Sequence, residues 1–327
     1  MPCRASPPPP PALPTRRAVL ATLGLGLLGA GCESPPALRI AGHPWPGYET
    51  LFLARTLGWL PPHITLLDTA TLQDSLGLVH SNATDAVMLT LDEMLALREQ
   101  GRELQAVLVF NVSRGADMLL ARAGLRSLAD LQGRRIGVED SVLGTLMLAL
   151  VLERAGLRRQ DVKVHRIAYE RHEAAWLGQE IDALITYEPV GGRLMAAGAR
   201  QLLSTRQLPD TIFDVLAAPA DLPAHHVRAL RAAVATHFQA LAHLRQNPWD
   251  AAYRQAPRLQ VSAEAFIESL RGLELPDLVG NRRYLTAADS PLKQAAQRIG
   301  AIMQTAGLLQ RPVNPGRLLS ADYLPAT

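Results

Sequence analysis

The side chains that could carry chemistry do not form a complete enzyme motif. His172-Glu173-Ala174-Ala175-Trp176 begins like the zinc-binding helix of a metalloprotease, but Trp176 stands where the second His ligand is required. Residues 24–29 have the glycine spacing of a dinucleotide-binding turn, but no strand precedes them. Neither a Gly-x-Ser-x-Gly elbow nor a phosphate-binding loop occurs. The sequence therefore predicts a protein that is not an enzyme and that holds neither a cofactor nor a metal.

Two aromatic side chains follow the first predicted strand and could line a binding site. Trp45 lies between two prolines, and Tyr48 follows three residues later. Such a pair could stack on a planar ring or enclose a small apolar group. Tyr48 could equally be the first core residue of the next helix, whereas Trp45 is harder to explain as core. We therefore expect Trp45 in a ligand cleft and leave both roles open for Tyr48.

Polar candidates follow two further predicted strands. Thr90 has the position of a helix cap, with Glu93 three residues later, and it could also contact a ligand. Asn111 and Asp117 flank a predicted crossover between two halves of the chain. Asp117 could bind a ligand amine or hold a hinge.

The start of a strongly apolar helix offers a candidate anion site. Ser141, Gly144 and Thr145 stand there, and free backbone N–H groups at a helix start suit an anionic group. The alternative is ordinary helix capping by Asp140 or Ser141.

Tyr187 and Glu188 follow another predicted strand, and Pro189 comes next, which places the pair in an extended turn. A carboxylate of Glu188 that faces the cleft would favour an amine or an aminopyrimidine over a bare anion. Glu188 could instead hold the cleft shut by pairing across it.

Short strands that alternate with helices must position these candidates. This alternation is typical of an α/β fold with parallel sheets, and ligands bind such sheets beyond the carboxyl ends of the strands. It predicts two α/β blocks with a cleft between them. The predicted strands are 38–41, 64–67, 85–89 and 107–112 in the first block and 118–121, 135–138, 162–167, 183–186 and 214–217 afterwards, and the pattern is helical from Pro223 onward.

The charge of the chain argues against nucleic-acid binding. The formal net charge of +3 comes from 33 basic and 30 acidic residues in 327. Residues 1–31 contain Arg4, Arg16 and Arg17 and no acid, so the rest of the chain has 30 basic and 30 acidic residues. The excess positive charge lies within residues 1–31, so the charge of the remaining chain gives no support for a basic face that binds phosphate groups.

Residues 1–31 have the pattern of an export signal. Arg16 and Arg17 precede an apolar stretch of 13 residues, Ala18–Ala30, which is too short to span a membrane. Residues 28–32, Leu-Gly-Ala-Gly-Cys, resemble a bacterial lipobox, in which Cys32 would be lipidated and become the first mature residue. An ordinary signal with a chance Cys is the alternative. The Arg pair fits general secretion or twin-arginine export equally.

Five short motifs occur in an order that resembles a known family. They begin at His43-Pro44-Trp45-Pro46-Gly47-Tyr48-Glu49 and continue with residues 85–93, 115–118, 127–137 and 181–189. Together they resemble the nitrate/sulfonate/taurine class of substrate-binding proteins of ABC importers, which includes binders of thiamin pyrimidine precursors. The resemblance runs from about Leu38 to the C-terminal helices.

The resemblance implies the type II periplasmic binding protein fold, which has two α/β lobes with a ligand cleft between them. It implies a signal peptide over 1–31, an anchor linker over 32–37, a discontinuous first lobe over 38–116 and 217–327, and a second lobe over 117–216. It also implies a periplasmic monomer that is anchored to a membrane through lipidated Cys32. Such a protein binds a small sulfonate-like, taurine-like or pyrimidine-like solute and delivers it to a membrane permease. We expect no binding of nucleic acid.

Two other functions are compatible with this fold. An exported sensory domain would need a separate transducer. An enzyme of the pyrimidine-synthase branch would need a Cys-rich iron motif, and Cys3 and Cys32 are the only cysteines in the sequence.

Overall fold

The computed structural model describes Met1, residues 36–286 and residues 289–326. Residues 37–327 pack as one unit. Cys32 and, apart from Met1, the predicted signal peptide lie outside the described residues.

Six strands form the first sheet, in the order β11-β4-β10-β3-β1-β2. Their bounds are β1 Leu38–Gly42, β2 Ile64–Asp68, β3 Ala86–Thr90, β4 Leu104–Ser113, β10 Phe213–Pro219 and β11 Leu273–Glu274. Strand β1 runs parallel to β2 and β3, whereas β10 runs antiparallel to both β3 and β4. All ten residues of β4 are buried, as expected of a strand covered on both faces.

Five strands form the second sheet, in the order β7-β6-β8-β5-β9. Their bounds are β5 Asp117–Ala121, β6 Arg135–Val138, β7 Lys163–Arg166, β8 Ala183–Tyr187 and β9 Arg200–Ser204. Strand β6 is parallel to β7 and β8, and β5 is antiparallel to β8 and β9.

Eleven helices of the described residues cover the sheets. Their bounds are α1 Glu49–Thr56, α2 Leu72–His80, α3 Leu91–Glu99, α4 Val142–Ala155, α5 His172–Leu177, α6 Val190–Ala196, α7 Ala224–Gln246, α8 Pro248–Gln255, α9 Ala263–Leu270, α10 Leu278–Thr286 and α11 Pro291–Thr305. Helix α4 shows why such a segment forms a helix: Ser141 accepts a hydrogen bond from the Gly144 N–H at 2.9 Å, and Gly156 ends the helix with φ of 65°.

The sheets differ from the sequence-based expectation because both are mixed and not purely parallel. Strands β5 and β10 start at the edge where their neighbours end, with Asp117 opposite Tyr187 and Asp214 opposite Thr90. The chain crosses between the sheets at that edge, so each crossing strand must run back into its sheet. Strand β10 begins at Phe213, which places residues 213–216 in the first sheet and not in the second lobe. The strands β9 and β11 and the helix α6 are not predicted from the sequence.

The two crossings are tied to each other by hydrogen bonds. Thr205 Oγ1 accepts the Gly115 N–H at 2.7 Å and lies 2.7 Å from Ser113 Oγ. Arg114 pairs with Asp210 at 2.8 Å and with Glu274 at 3.0 Å. The two connections therefore form one hinge.

Replacing Gly115 with Ala should destabilise this hinge. Gly115 has φ of +128°, and an added Cβ would lie 2.8 Å from Arg206 Nε, which donates to the Arg114 carbonyl at 3.1 Å. Backbone strain alone costs about 1–3 kcal/mol. Gly124 is the matched control, because it has φ of +107° with nothing within 4 Å of an added Cβ. Urea denaturation should show a larger loss for Gly115→Ala than for Gly124→Ala, and equal losses would contradict a role for the Arg206 contact.

Candidate functional site

A cleft opens between residues that follow strands of both sheets, and it contains two adjoining cavities. The outer cavity has a volume of about 680 Å³ and the inner cavity about 20 Å³. His43, Leu72, Glu139 and Tyr187 line both. The inner cavity is also lined by Trp45, Tyr48, Thr90, Glu93, Asp117, Leu143, Ile212 and Asp214.

Aromatic rings form one wall of the inner cavity. Trp45 begins the short 3-10 turn Pro46–Tyr48 at the end of β1, and its ring meets that of Tyr187 edge-on, with centroids 5.5 Å apart. Tyr187 stacks on Tyr169 at 4.2 Å with 3° between the ring planes. The Trp45–Tyr187 contact crosses from the first sheet to the second, whereas the Tyr169–Tyr187 stack lies within the part built on the second sheet. Together the rings place apolar surface where a ligand would lie. Tyr169 is not predicted from the sequence; its position just after β7 is the signal that could have identified it.

A buried hydrogen-bond network fixes this wall. Trp45 Nε1 donates to Asn111 Oδ1 at 3.1 Å, and Asn111 Nδ2 donates to Asp214 Oδ2 at 2.6 Å. Tyr48 Oη donates to the other oxygen of Asp214 at 2.7 Å. Asn111 thus lies behind the cavity and positions Trp45. Tyr48 fills both roles left open by the sequence, since it is 1% exposed in the core and also lines the cavity.

Asp214 is a site residue that the sequence assigns only to a strand. Burial raises the pKa of this carboxyl to about 7, opposed by the hydrogen bonds from Tyr48 and Asn111. Its distance in sequence from the other site residues hides it, because only the antiparallel pairing of β10 brings it to the cleft.

Asp117 lies in the inner cavity and is 3% exposed. Its Oδ2 atom has no hydrogen-bond partner in the described part of the chain. Burial, together with the charges of Asp92, Glu139 and Glu188, raises its pKa to about 7, and the hydrogen bond with Ser113 opposes this shift. Asp117 therefore has a buried oxygen free to accept a hydrogen bond from a ligand.

Two further carboxyl groups line the inner cavity. Glu93 accepts the Thr90 N–H at 2.9 Å, which is one half of the predicted capping box at the start of α3, whereas Thr90 Oγ1 lines the cavity without a hydrogen-bond partner in the described part of the chain. Glu139 accepts from Ser141 Oγ at 2.8 Å and from Tyr187 Oη at 3.3 Å. Burial raises the pKa of both carboxyl groups. Glu139 directly follows β6 and is not predicted as a site residue from the sequence.

The three candidates at the start of α4 lie outside both cavities. Ser141 caps the helix, and Thr145 Oγ1 donates to the Ser141 carbonyl at 3.0 Å and accepts from Arg166 at 2.9 Å. The packing at Gly144 leaves no room for a side chain, because an added Cβ would lie 2.3 Å from the Glu139 carbonyl oxygen. The structure therefore supports the capping alternative here, and the neighbouring Glu139 carboxylate opposes an anion.

Glu188 also lies outside both cavities. Its carboxylate accepts the Gly192 N–H at 3.0 Å in the first turn of α6, so it caps a helix and does not face the ligand space. His172 of the incomplete zinc motif is buried and lies 3.1 Å from Thr186. Trp176, also on α5, is buried in the core.

Arg258 contacts the segment between β1 and α1, although it lies 216 residues after Gly42 in the sequence. It pairs with buried Glu49, pairs with Asp68 at 3.0 Å and donates to the Gly42 carbonyl at 2.9 Å. Its guanidinium lies 3.4 Å from the centroid of the Phe52 ring. It thereby fixes the segment between β1 and α1 that carries Trp45 and Tyr48.

Among the described residues, no group of three or more His, Cys, Asp or Glu side chains is placed to hold a metal ion. No described helix is both long enough and apolar enough to cross a bilayer.

The two mixed sheets, joined by two crossings with a cavity between them, define the class of type II periplasmic binding proteins. A family model described as NMT1/THI5 like matches residues 51–251, and the chain belongs to this family. The family and the fold confirm the predicted fold class and the resemblance to the nitrate/sulfonate/taurine class.

Solved structures share this fold at low sequence identity. The aliphatic sulphonate binding protein SsuA of Escherichia coli has a TM-score of 0.73 and 19% identity over 88% of this chain and 92% of its own. SsuA of Xanthomonas axonopodis pv. citri, bound to MOPS, has a TM-score of 0.70 and 19% identity over 89% and 99%. The desulfurization enzyme DSZB has a TM-score of 0.65 and 20% identity over 88% and 97%, so the fold also carries an enzyme.

A curated relative agrees with the binding-protein class. A binding protein of Brucella abortus (strain 2308) is 26% identical over 218 residues, which cover 64% of this chain and 67% of the relative.

Replacing Asp117 with Asn should change how stability depends on pH. The folded pKa of about 7 lies above the ordinary value of 3.8, so the folded state holds a proton that the unfolded state releases between these values. The free energy of unfolding of the wild type should therefore fall relative to that of Asp117→Asn as the pH rises from about 4 to about 7, and then level off. Urea denaturation of both proteins across this range measures the difference, and a constant difference would contradict the raised pKa.

Proposed function

We propose that this chain is a lipid-anchored, non-catalytic solute-binding protein of the bacterial periplasm that delivers a small organic solute to an ABC importer. The observation that carries the proposal is the aromatic-walled inner cavity where the two sheets meet, closed by the contact between Trp45 and Tyr187 at 5.5 Å. Aromatic and polar groups that converge in a cleft between lobes are typical of small-molecule sites.

The solute is sulfonate-like, taurine-like or pyrimidine-like. The SsuA neighbours are named as sulfonate-binding proteins, and the family model that matches this chain is described as NMT1/THI5 like. The face of Tyr187 and the edge of Trp45 suit a flat ring or a short alkyl chain. The outer cavity of about 680 Å³ has room for a molecule of this size.

Cysteine content disfavours an enzyme of the pyrimidine-synthase type. The sequence has two cysteines, Cys3 and Cys32, and both precede the first strand. A Cys-rich iron motif in the two-lobed part is therefore excluded by composition.

Replacing Trp45 with Ala should weaken ligand binding by about tenfold or more, which corresponds to ~1.4 kcal/mol, because the variant loses ring contact and the anchor on Asn111. The measurement is a thermal-shift screen with alkanesulfonates, taurine, aminopyrimidines and thiamin. A ligand at about 100 times its Kd adds ~2.7 kcal/mol to the stability of the folded state.

Trp249→Ala is the matched control, because Trp249 is 49% exposed on α8 and lines neither cavity. This variant should bind like the wild type. Equal binding by the Trp45→Ala variant would overturn the assigned cavity, and a flat screen with the wild type would count against the solute-binding function itself.

Replacing Cys32 with Ser should release the protein from the membrane fraction of expressing cells, because the lipidated thiol is then missing. Cys3→Ser is the matched control and should leave the protein in the membrane fraction, since Cys3 is removed with the signal peptide. Cell fractionation followed by mass spectrometry of the mature N-terminus measures both. Membrane retention of the Cys32→Ser variant would show that the lipid anchor is wrong.

A further inference from the structure

We propose that the inner cavity selects a cationic group of its ligand, an ammonium, amidinium or guanidinium, through Asp117 and rejects sulfonates and other anions. This inference rests on the proposed solute-binding function and names the charge class of the solute. It narrows the proposed solutes to those that carry a cationic group, which removes simple sulfonates from the list, and it separates this chain from the sulfonate binders that share its fold.

The charge of the cavity lining supports a cation. Four carboxyl groups line the inner cavity, and no Arg or Lys side chain of the described residues does so. His43 also lines it, but burial and Arg258 lower its pKa to about 4, so it is neutral at pH 7. A sulfonate that entered would lose its water and meet carboxyl groups without a compensating cation. The four carboxyl groups belong to Glu93, Asp117, Glu139 and Asp214.

The donors of the aromatic wall are already committed to internal acceptors. Trp45 Nε1 donates to Asn111, Tyr48 Oη to Asp214, and Tyr187 Oη to Glu139. Each of these groups has a single N–H or O–H to give. The wall therefore offers ring faces, which attract cations, but none of its own N–H or O–H groups is free for a sulfonate oxygen. Elsewhere in the lining, Thr90 Oγ1 and His43 Nδ1 have no hydrogen-bond partner in the described part of the chain, so an anion would meet at most these two neutral groups and no cation.

The carboxyl oxygens of the lining are the hydrogen-bond acceptors, and one oxygen of Asp117 is free among them. Both oxygens of Asp214 accept hydrogen bonds, from Tyr48 and Asn111, and both oxygens of Glu139 accept from Ser141 and Tyr187. Asp117 Oδ2 is buried in the cavity lining and has no partner in the described part of the chain. A buried oxygen without a partner costs about 1–3 kcal/mol, and a charged N–H donor from a ligand would remove that cost.

The arginines of the outer cavity do not provide an alternative anion site. Arg193 pairs with Glu173 at 2.9 Å, and Arg258 pairs with Glu49 and Asp68. Both cations are therefore neutralised by neighbouring carboxylates.

The charged groups around Asp117 raise its pKa. Asp92 on α3, Glu139 after β6 and Glu188 after β8 have this effect, and the hydrogen bond with Ser113 opposes it. Asp117 in turn raises the pKa of Tyr187 on β8 and of Asp214 on β10, and Glu93 on α3 lines the same cavity. None is basic, and His43 is neutral. Affinity for a cation should therefore rise as the pH increases from about 6 to about 8, by up to about tenfold per pH unit below the pKa of Asp117.

The experiment is isothermal titration calorimetry of the mature protein with cationic, neutral and anionic probes, of which benzamidinium, benzamide and benzenesulfonate share one ring. The cations are guanidinium, methylguanidinium and benzamidinium, the neutral probe is benzamide and the anion is benzenesulfonate. We expect at least one cation to bind, benzamide to bind more weakly, and benzenesulfonate not to bind. Asp117→Asn should weaken the cation at least about tenfold, whereas Glu188→Gln, which removes a nearby carboxylate outside both cavities, should not.

Three results would overturn the inference: benzenesulfonate that binds as tightly as the cations, failure of all three cations at about 10 mM, or cation affinity that does not change between pH 6 and 8. The pH series uses the wild type, so it decides the matter even where the Asp117→Asn variant fails to fold. Binding of sulfonates alone would leave the proposed solute-binding function intact, whereas the absence of binding by cations, sulfonates, taurine and pyrimidines would count against both.

Discussion

The carboxyl group of Asp214 connects the parts of the molecule that build the cleft. It accepts hydrogen bonds from Tyr48, which follows β1, and from Asn111 on β4, which in turn accepts from Trp45. Each of these groups is buried, so each must have a partner, and the partners come from three strands that are far apart in sequence. In the observed arrangement, the polar atoms of Trp45, Tyr48 and Asn111 that face this carboxyl network are therefore all hydrogen-bonded.

The order of strands and helices was predictable from the sequence, since hydrophobic runs and helix caps are local signals. The direction of β5 and β10 was not, because it depends on where the chain crosses between the sheets. The sequence does not show Asp214 as a site residue, because the antiparallel pairing of β10 with β3 brings it to the cleft. Glu188 has a separate cause: the sequence does not predict the helix α6, and the Glu188 carboxylate accepts the Gly192 N–H in the first turn of that helix.

Two residues that the sequence marks by an unusual position line the inner cavity. They are Trp45, which lies between two prolines, and Asp117, which lies beside a crossover. Ser141, Gly144 and Thr145 fit a pattern that ordinary capping also produces, and in the structure Ser141 caps α4. Glu139 and Tyr169 follow the strands β6 and β7, and this position is the signal that the sequence offers for them. Their contacts depend on the fold, in which Glu139 accepts a hydrogen bond from Tyr187 and the rings of Tyr169 and Tyr187 stack.

Arg258 makes the cleft depend on a residue far along the chain. It lies 216 residues after Gly42, whose carbonyl it binds, and it supplies the positive charge beside buried Glu49. Strands β1 to β10 all precede Arg258, so a fragment that ends before this residue carries ten of the eleven strands and still lacks the cation for Glu49. Strand content and an intact segment between β1 and α1 are therefore separate properties of the chain, and a truncation in the C-terminal helices removes the second before the first.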